Sequence, residues 1–183
     1  MENSPTIPGL TKNEQQVLKK LIEHPKTPDL EIANEMGLSQ QAVFKIRHKL
    51  ERVGIIKGYT PIIDFKKVGI QTLVVLGVKF TKKVWDKYSE EQISEMIQKI
   101  PEVITCYRTP ESSISHLMVM GFNDTDSKDR YLMKLQTKYS EEIEIINIYP
   151  FSVSRIIKEN RVSLLYKVLD KKEPMLGKFF PDK

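Results

Sequence analysis

The sequence predicts an α+β protein, with an N-terminal winged helix-turn-helix followed by a ferredoxin-like βαββαβ sandwich. Two observations predict this fold class. Three short helical patterns follow one another within residues 10–53, and residues 73–149 alternate strand and helix patterns in the order β-α-β-β-α-β. With 40% hydrophobic and 29% charged residues, the composition is typical of a globular chain and not of a disordered one.

The first part of the chain has well-marked helix boundaries. Thr11, three residues before a glutamate, forms a capping box that starts the first helix. The second helix stops at Gly37, and Ser39 caps a third helix over residues 40–53. The short turn between the last two helices indicates a helix-turn-helix. Residues 55–64 are predicted to add two short strands, which form the wing.

The second part has the rhythm of a sandwich. An apolar strand is predicted over residues 73–80, and a helix with one apolar face follows over 90–100. Two further strands, a helix and a last strand are predicted over residues 103–108, 117–122, 126–139 and 143–149. The predicted organisation is a flexible N-terminus (1–9), a winged helix-turn-helix domain (10–65), a linker (66–72), a ferredoxin-like dimerisation and effector domain (73–160), and a basic C-terminal extension (161–183).

The third helix carries the candidate functional residues. At about 100° per residue, one side of it, formed by Val43, Ile46, Leu50 and Val53, must pack on the first two helices. Glutamine can pair with adenine, lysine with guanine, and phenylalanine can contact a thymine methyl group. In a helix-turn-helix, such a face indicates contact with the DNA major groove, whereas on a lone helix it would be an ordinary solvated face. The predicted DNA-binding residues are Gln41, Phe44, Lys45, His48 and Arg52, flanked by Ser39, Gln40 and Arg47, with Lys57 in the wing.

Several stretches together resemble a known family. The segment Leu30–Ser39 matches its second helix and turn, and Arg47–Tyr59, with Asp64 and Val68-Gly69, completes the pattern. In these residues the chain resembles the Lrp/AsnC (leucine-responsive/asparagine-responsive) transcription regulators of archaeal type, over about residues 10–160. The resemblance implies a DNA-binding domain joined to a ferredoxin-like domain that dimerises, often assembles further, and often binds small effectors.

Two features depart from that family. Members that sense amino acids carry a Gly-x-x-Asp element between the second and third strands of the sandwich, and residues 111–116 here lack it. An amino-acid effector is therefore not expected. The extension after about Asn160 is longer than is usual in the family.

Charge and composition limit the partners. The net charge of +5 comes from basic ends, with +3 over residues 1–69 and +4 over residues 150–183, around a middle of −2. A polyanion such as double-stranded DNA fits this distribution. The single cysteine, Cys106, cannot form an internal disulfide, and the three histidines share no metal-ligand spacing. We expect a cytoplasmic, nucleoid-associated homo-oligomer with no cofactor, no metal and no membrane partner.

The sequence therefore predicts a sequence-specific transcription regulator that acts as a dimer or a higher oligomer, and not an enzyme. Two alternatives stay open. Siroheme decarboxylases share the two-domain plan, and His116 at a strand start is the one feature that favours such an enzyme. An architectural protein that coats DNA with little sequence preference is the other, and the basic extension supports it.

Overall fold

The computed structural model describes residues 9–109, 113–159 and 162–170. The chain divides into two compact units, the first formed by residues up to Pro61 and from Lys158 onward, and the second by Ile62–Ile157. The predictions for residues 1–8, Arg161 and residues 171–183 lie outside the described residues. In chain order the elements are α1 (Lys12–Glu23), α2 (Asp29–Met36), α3 (Gln40–Arg52), β1 (Thr72–Phe80), α4 (Lys82–Lys87), α5 (Glu90–Gln98), β2 (Val103–Arg108), β3 (His116–Phe122), α6 (Thr125–Lys138), β4 (Ile143–Ser152) and α7 (Val162–Asp170).

The three N-terminal helices of the first unit form the predicted helix-turn-helix. Val17 of α1, Ile32 of α2 and Val43 of α3 meet in a core where each has no exposed surface. The capping box at Thr11 is confirmed, since its hydroxyl accepts from the Glu14 amide. Gly37 ends α2 with φ +65°, a left-handed conformation that glycine adopts without strain and that allows the tight turn into α3.

The two strands predicted for the wing are wrong, because residues 55–64 contain no strand. The β-branched residues there favour a strand locally, but no neighbouring strand pairs with their backbone, and Ile62 is 96% exposed. Val53 was expected in the core with Leu50. It is 53% exposed instead, because α3 ends at Arg52 and Val53 already has a non-helical ψ of 1°.

Within the first unit, the described part of the C-terminal extension packs on α1. Residues 164–166 form a short apolar run that lies within α7. Leu169 is buried in a cluster with Leu10, Leu18 and Leu50, and an ion pair joins Lys19 to Asp170. The extension thus supplies a fourth helix to the DNA-binding unit, and this packing lies beyond what the family resemblance implied.

The second unit is an antiparallel four-stranded sheet with the strand order β2-β3-β1-β4, as the ferredoxin-like prediction requires. Its helix-covered face is the core, where residues of β1 and β3 such as Val74, Leu76 and Met120 contact Ile93 of α5 and Leu132 of α6. The short helix α4 was not predicted. Asp124 caps α6 by accepting from the Ser127 amide at 2.6 Å.

The other face of the sheet carries no described helix. Val75 pairs across the sheet with Val119 on one side and with Tyr149 on the other, and Leu117 pairs with Tyr107. The valines and Leu117 are half-buried, while the two tyrosines are more than half exposed. We call this surface, formed by Leu73, Val75, Tyr107, Leu117, Val119 and Tyr149, the open sheet face.

Candidate nucleic-acid interface

Helix α3 presents the predicted side chains to solvent. Gln41, Phe44, Lys45, His48 and Arg52 are all exposed, whereas Val43 and Leu50 on the opposite side have no exposed surface. Ser39 and Gln40 at the start of α3 and Lys57 after it are also exposed. The helical period thus separates a packing side from an outward side, which we call the α3 face. Contact of these residues with DNA stays a prediction.

An aromatic pair stands on the α3 face. The rings of Phe44 and His48 lie 4.0 Å apart between centroids, with 34° between their planes. Phe44 is 48% exposed, so a large part of its ring is accessible to a partner. The tilted contact between the two rings places them side by side on the α3 face.

The start of α3 can also accept a phosphate. The Ser39 hydroxyl accepts from the Ala42 amide at 3.1 Å, which leaves its own proton available to a second acceptor. The unpaired amides and the helix dipole at this end favour an anion. The geometry is therefore compatible with the predicted phosphate contact at Ser39.

The cations of α3 and its flank fall into two groups. Within the described part of the chain, Lys45, Arg52 and Lys57 have no carboxylate within ion-pair distance. Arg47 and Lys49, by contrast, each form an ion pair inside the first unit. Unpaired exposed cations are available to a polyanion, whereas paired cations first have to give up a carboxylate.

Arg47 joins α3 to the start of α2. Its guanidinium donates to Asp29 Oδ1 at 2.7 Å and to the Thr27 carbonyl at 2.9 Å, and the Arg47 side chain is only 16% exposed. Burial alone lowers the pKa of Arg47, but hydrogen bonds with Asp29 and Tyr59 outweigh it, and the pKa is raised. The structure thus places Arg47 in an internal contact beside the α3 face, which its predicted DNA role did not anticipate.

Lys49 joins α3 to α1. Its ammonium donates to Glu14 Oε1 at 2.6 Å, and the other Glu14 oxygen accepts from the Thr11 amide at 2.8 Å. These two hydrogen bonds lower the pKa of Glu14, although its burial raises it. The capping box and the ion pair therefore share one carboxylate that is almost fully buried.

Sequence reasoning missed Asp29 and Tyr59 as supports of this interface. Tyr59 donates from its hydroxyl to Glu51 Oε1 at 3.0 Å, which ties the segment that carries Lys57 to α3. Asp29 lies in the acidic first turn of α2, and its pairing with Arg47 gives no local signal in the sequence. Only the crossing of α2 and α3 brings them together.

Two side chains outside this interface, the His116 imidazole and the Cys106 thiol, are packed in the second unit. His116 is 6% exposed, and its ring lies against Phe80 and Trp85. Burial, with a smaller effect from Arg108, lowers the pKa of His116 and favours its neutral form. Cys106 packs against the core of that unit, and burial raises the pKa of its thiol. No group of three or more metal-ligating side chains occurs among the described residues.

None of the helices in residues 9–109, 113–159 and 162–170 is both long and apolar enough to cross a bilayer.

The chain joins a helix-turn-helix that has an exposed α3 face to an antiparallel βαββαβ unit. This combination is that of a DNA-binding transcription regulator.

Comparison with known proteins gives the family. The HTH-type transcriptional regulator LrpA of Pyrococcus abyssi is 31% identical over 113 residues, which cover 62% of this chain and 74% of that protein. The regulatory protein AsnC of Haemophilus influenzae is 29% identical over 107 residues, 58% of this chain and 69% of that protein. No family model matches. The chain belongs to the Lrp/AsnC family of transcription regulators.

Solved structures agree on the fold. The AsnC family transcriptional regulator from Agrobacterium tumefaciens superimposes with a TM-score of 0.65 at 20% identity, over 93% of this chain and all of that one. A transcriptional regulator of Neisseria meningitidis, solved in complex with L-Met, gives a TM-score of 0.66 at 17% identity and covers 93% of this chain and 99% of that one. The predicted fold class is thus confirmed, except for the two wing strands.

Proposed function

We propose that the protein regulates transcription by reading a specific DNA sequence with the α3 face. The observation that carries this proposal is the division of α3, in which exposed glutamine, phenylalanine and cations without a described carboxylate partner lie opposite Val43 and Leu50, which have no exposed surface. A major groove about 12 Å wide admits one helix, and side chains of these types match the base edges that it displays. The relatives named above are transcription regulators, which supports the same function and gives no support to an enzyme.

Two roles are proposed within the interface. Gln41 and Phe44 carry no charge that would attract a phosphate, so we assign them to base contacts: an amide to adenine and a ring to a thymine methyl group. His48 holds the Phe44 ring in place. The residues assigned to backbone phosphates or to the groove edge are Ser39, Gln40, Lys45, Arg52 and Lys57.

Arg47 is assigned a positioning role. Its guanidinium already has the Asp29 carboxylate and the Thr27 carbonyl as partners, and a phosphate would have to displace them. Since the sequence-based prediction placed Arg47 among the DNA-binding residues, this is a change of role within the same interface. Arg47 fixes the angle at which α3 leaves the turn, and its effect on DNA binding is therefore indirect.

The assembly that we propose is a dimer through the open sheet face. Val75, Leu117 and Val119 form a continuous apolar patch there, and Tyr107 and Tyr149 extend it. Such a patch is costly to leave in water, and a second copy with the same patch is the simplest cover. A dimer also carries two α3 faces, one in each copy. The proposed location is the cytoplasm, at the nucleoid, and an amino-acid effector is not part of this proposal.

The experiment that tests sequence reading compares a cognate duplex with a random duplex at the same salt concentration. Gln41→Ala and Phe44→Ala are expected to lower the affinity for the cognate duplex by about 1–3 kcal/mol each, because each loses a base contact. Random DNA should bind almost unchanged, because its binding energy comes from phosphates. Lys45→Ala is the matched control on the same face, and it should weaken both duplexes and reduce the salt dependence.

Equal losses on both duplexes for Gln41→Ala and Phe44→Ala would contradict sequence reading. That result would favour the alternative of an architectural protein that coats DNA. Circular dichroism of each variant controls for folding, which neither substitution should disturb because both side chains are exposed.

A further inference from the structure

The second unit contains a cleft that the DNA-binding function does not use. It has a volume of about 510 Å³ and opens between α4 and α5 on one side and α6 on the other. This volume lies within the range of about 300–1,000 Å³ that small-molecule sites occupy. Its floor is formed by side chains of the sheet and of α4 and α5, among them Phe80, Val84, Ile93 and Ile97, which are all at most 8% exposed.

The walls of the cleft add polar groups at its rim. The rings of Tyr88, Tyr131 and Tyr139 line it, and none of the three hydroxyls has a hydrogen-bond partner among the described residues. Burial, with smaller effects of Glu102 and Tyr139, raises the pKa of Tyr131, so its hydroxyl keeps its proton and can donate it. An apolar floor with a few free donors is the usual composition of a small-molecule site.

The charged side chains at the rim determine which ligand charge the cleft favours. Lys83 and Lys87 both line the cleft, but Lys83 is already paired with Glu141 and Glu142. Lys87 lies 5.0 Å from the centre of the Tyr88 ring and has no carboxylate partner in the described part of the chain. Among the described lining residues, Lys87 is thus the one cation without a carboxylate partner, and the one carboxylate, Glu142, is paired with Lys83 at 3.7 Å.

From this arrangement we infer that the cleft binds a monocarboxylate with an apolar body, such as a medium-chain fatty acid or an arylalkanoic acid. The apolar body lies over Phe80, Ile93 and Ile97, and the carboxylate is at the rim, where Lys87 and the tyrosine hydroxyls can donate to it. The inference concerns the second unit alone and does not depend on the proposed reading of DNA. Its test therefore needs no DNA.

Calorimetric titration of the full chain with octanoate, and with the neutral octanamide as the control ligand, tests whether binding requires the negative charge of the ligand. Saturable binding of octanoate with weaker binding of octanamide is expected. Lys87→Met keeps the apolar stem and removes the cation, so it should weaken octanoate binding by about tenfold or more and abolish the preference over octanamide. Lys82→Met is the matched control, because Lys82 lies on the same helix, is exposed and does not line the cleft.

Methyl NMR of the isoleucines locates the ligand. Octanoate should shift the signals of Ile93, Ile97 and Ile143, while Ile32 in the core of the first unit should not move. Leu135→Trp fills the cleft from α6 and should remove both the shifts and the heat of binding. If that variant does not fold, the Lys87 and Lys82 pair still decides the question.

Three results would overturn the inference. They are the absence of saturable binding at millimolar octanoate, shifts confined to isoleucines outside the cleft, and equal binding of octanoate by the Lys87→Met and Lys82→Met variants. Leucine binding as tightly as octanoate would also contradict it, because the one carboxylate among the described lining residues, Glu142, is already paired with Lys83.

Discussion

The internal role of Arg47 gives the sharpest prediction about the DNA-binding unit. Arg47→Met removes the guanidinium and keeps an unbranched apolar side chain in place of the arginine stem. The Asp29 carboxylate, in a pair whose side chains are 16% and 15% exposed, then loses its cation, and the Thr27 carbonyl loses a donor. We expect the first unit to be destabilised.

The magnitude follows from the burial of the pair. Breaking a fully buried ion pair costs about 3–5 kcal/mol, and a hydrogen bond to a charged group contributes about 1.5–3 kcal/mol. Because water still reaches a small part of both side chains, we expect a loss of about 2–3 kcal/mol in the free energy of unfolding. Lys45→Met, at an unpaired and exposed cation of the same helix, should change it by less than about 0.5 kcal/mol.

The assay is a urea titration followed by the methyl signals of Ile32, in the core of the first unit, and of Ile93, in the core of the second. Arg47→Met should move the Ile32 transition to lower urea and leave the Ile93 transition in place. A double-mutant cycle with Asp29→Asn should show a coupling free energy above about 1 kcal/mol. An unchanged Ile32 transition, together with a loss of random-DNA affinity equal to that of Lys45→Met, would refute the reasoning and restore Arg47 as a phosphate contact.

Three further predictions follow from other contacts. Glu14→Gln should lower the free energy of unfolding by about 1–2 kcal/mol at neutral pH. Because Lys49 lowers the pKa of Glu14, the greater stability of the wild type is present above the ordinary pKa of 4.5 and should disappear as the pH falls through the lowered value. Unfolding of both proteins measured at several pH values checks this. Leu169→Ala should lower the unfolding free energy of the first unit by about 2–4 kcal/mol, because Leu169 is buried. Leu165→Ala, on the exposed side of α7, should lower it by less than about 1 kcal/mol. Equal effects would mean that α7 does not pack as described. Tyr149→Lys should convert the proposed dimer to a monomer in light scattering, and an unchanged mass would place the interface elsewhere.

Local sequence signals were sufficient for most elements of the fold. The capping residues Thr11 and Ser39 and the stop at Gly37 gave the helix-turn-helix, because caps and glycine act on the backbone next to them. The sheet order β2-β3-β1-β4 could be predicted as well, since it follows from the order of elements once helices alternate with strands. The exposed side of α3 followed from the helical period alone.

Other elements depended on contacts that are distant in sequence. Helix α4 has only six residues, too few for a periodic pattern, and its N-cap makes no side-chain hydrogen bond. Residues 164–166 form an apolar run that fits either a strand or a helix, and only the packing of Leu169 and Tyr166 against α1 decides for a helix. Residues 55–64 look like strands locally but lack a partner strand.

The site was harder to predict than the fold, because the sequence does not show which carboxylate a basic side chain pairs with. Five basic side chains lie between Lys45 and Arg52, and the helical period places them on or beside the outward side. The structure shows that two of them, Arg47 and Lys49, are held by carboxylates of the preceding helices. A cation that holds a helix in place is only weakly available to a phosphate, so net charge overstates the DNA affinity of this face.

Under the proposed function, the unpaired and the ion-paired cations of α3 have different roles. In the proposed interface the outward cations attract any duplex, and sequence preference requires that Gln41 and Phe44 reach the same base pairs in every complex. That requires a fixed orientation of α3, which Arg47 and Lys49 provide through α2 and α1. Weakening either internal pair is therefore expected to reduce the preference for a cognate duplex more than the affinity for random DNA, the opposite pattern to the loss of Lys45. Measuring both duplexes for Lys49→Met, at a urea concentration where the first unit stays folded, separates the two cases.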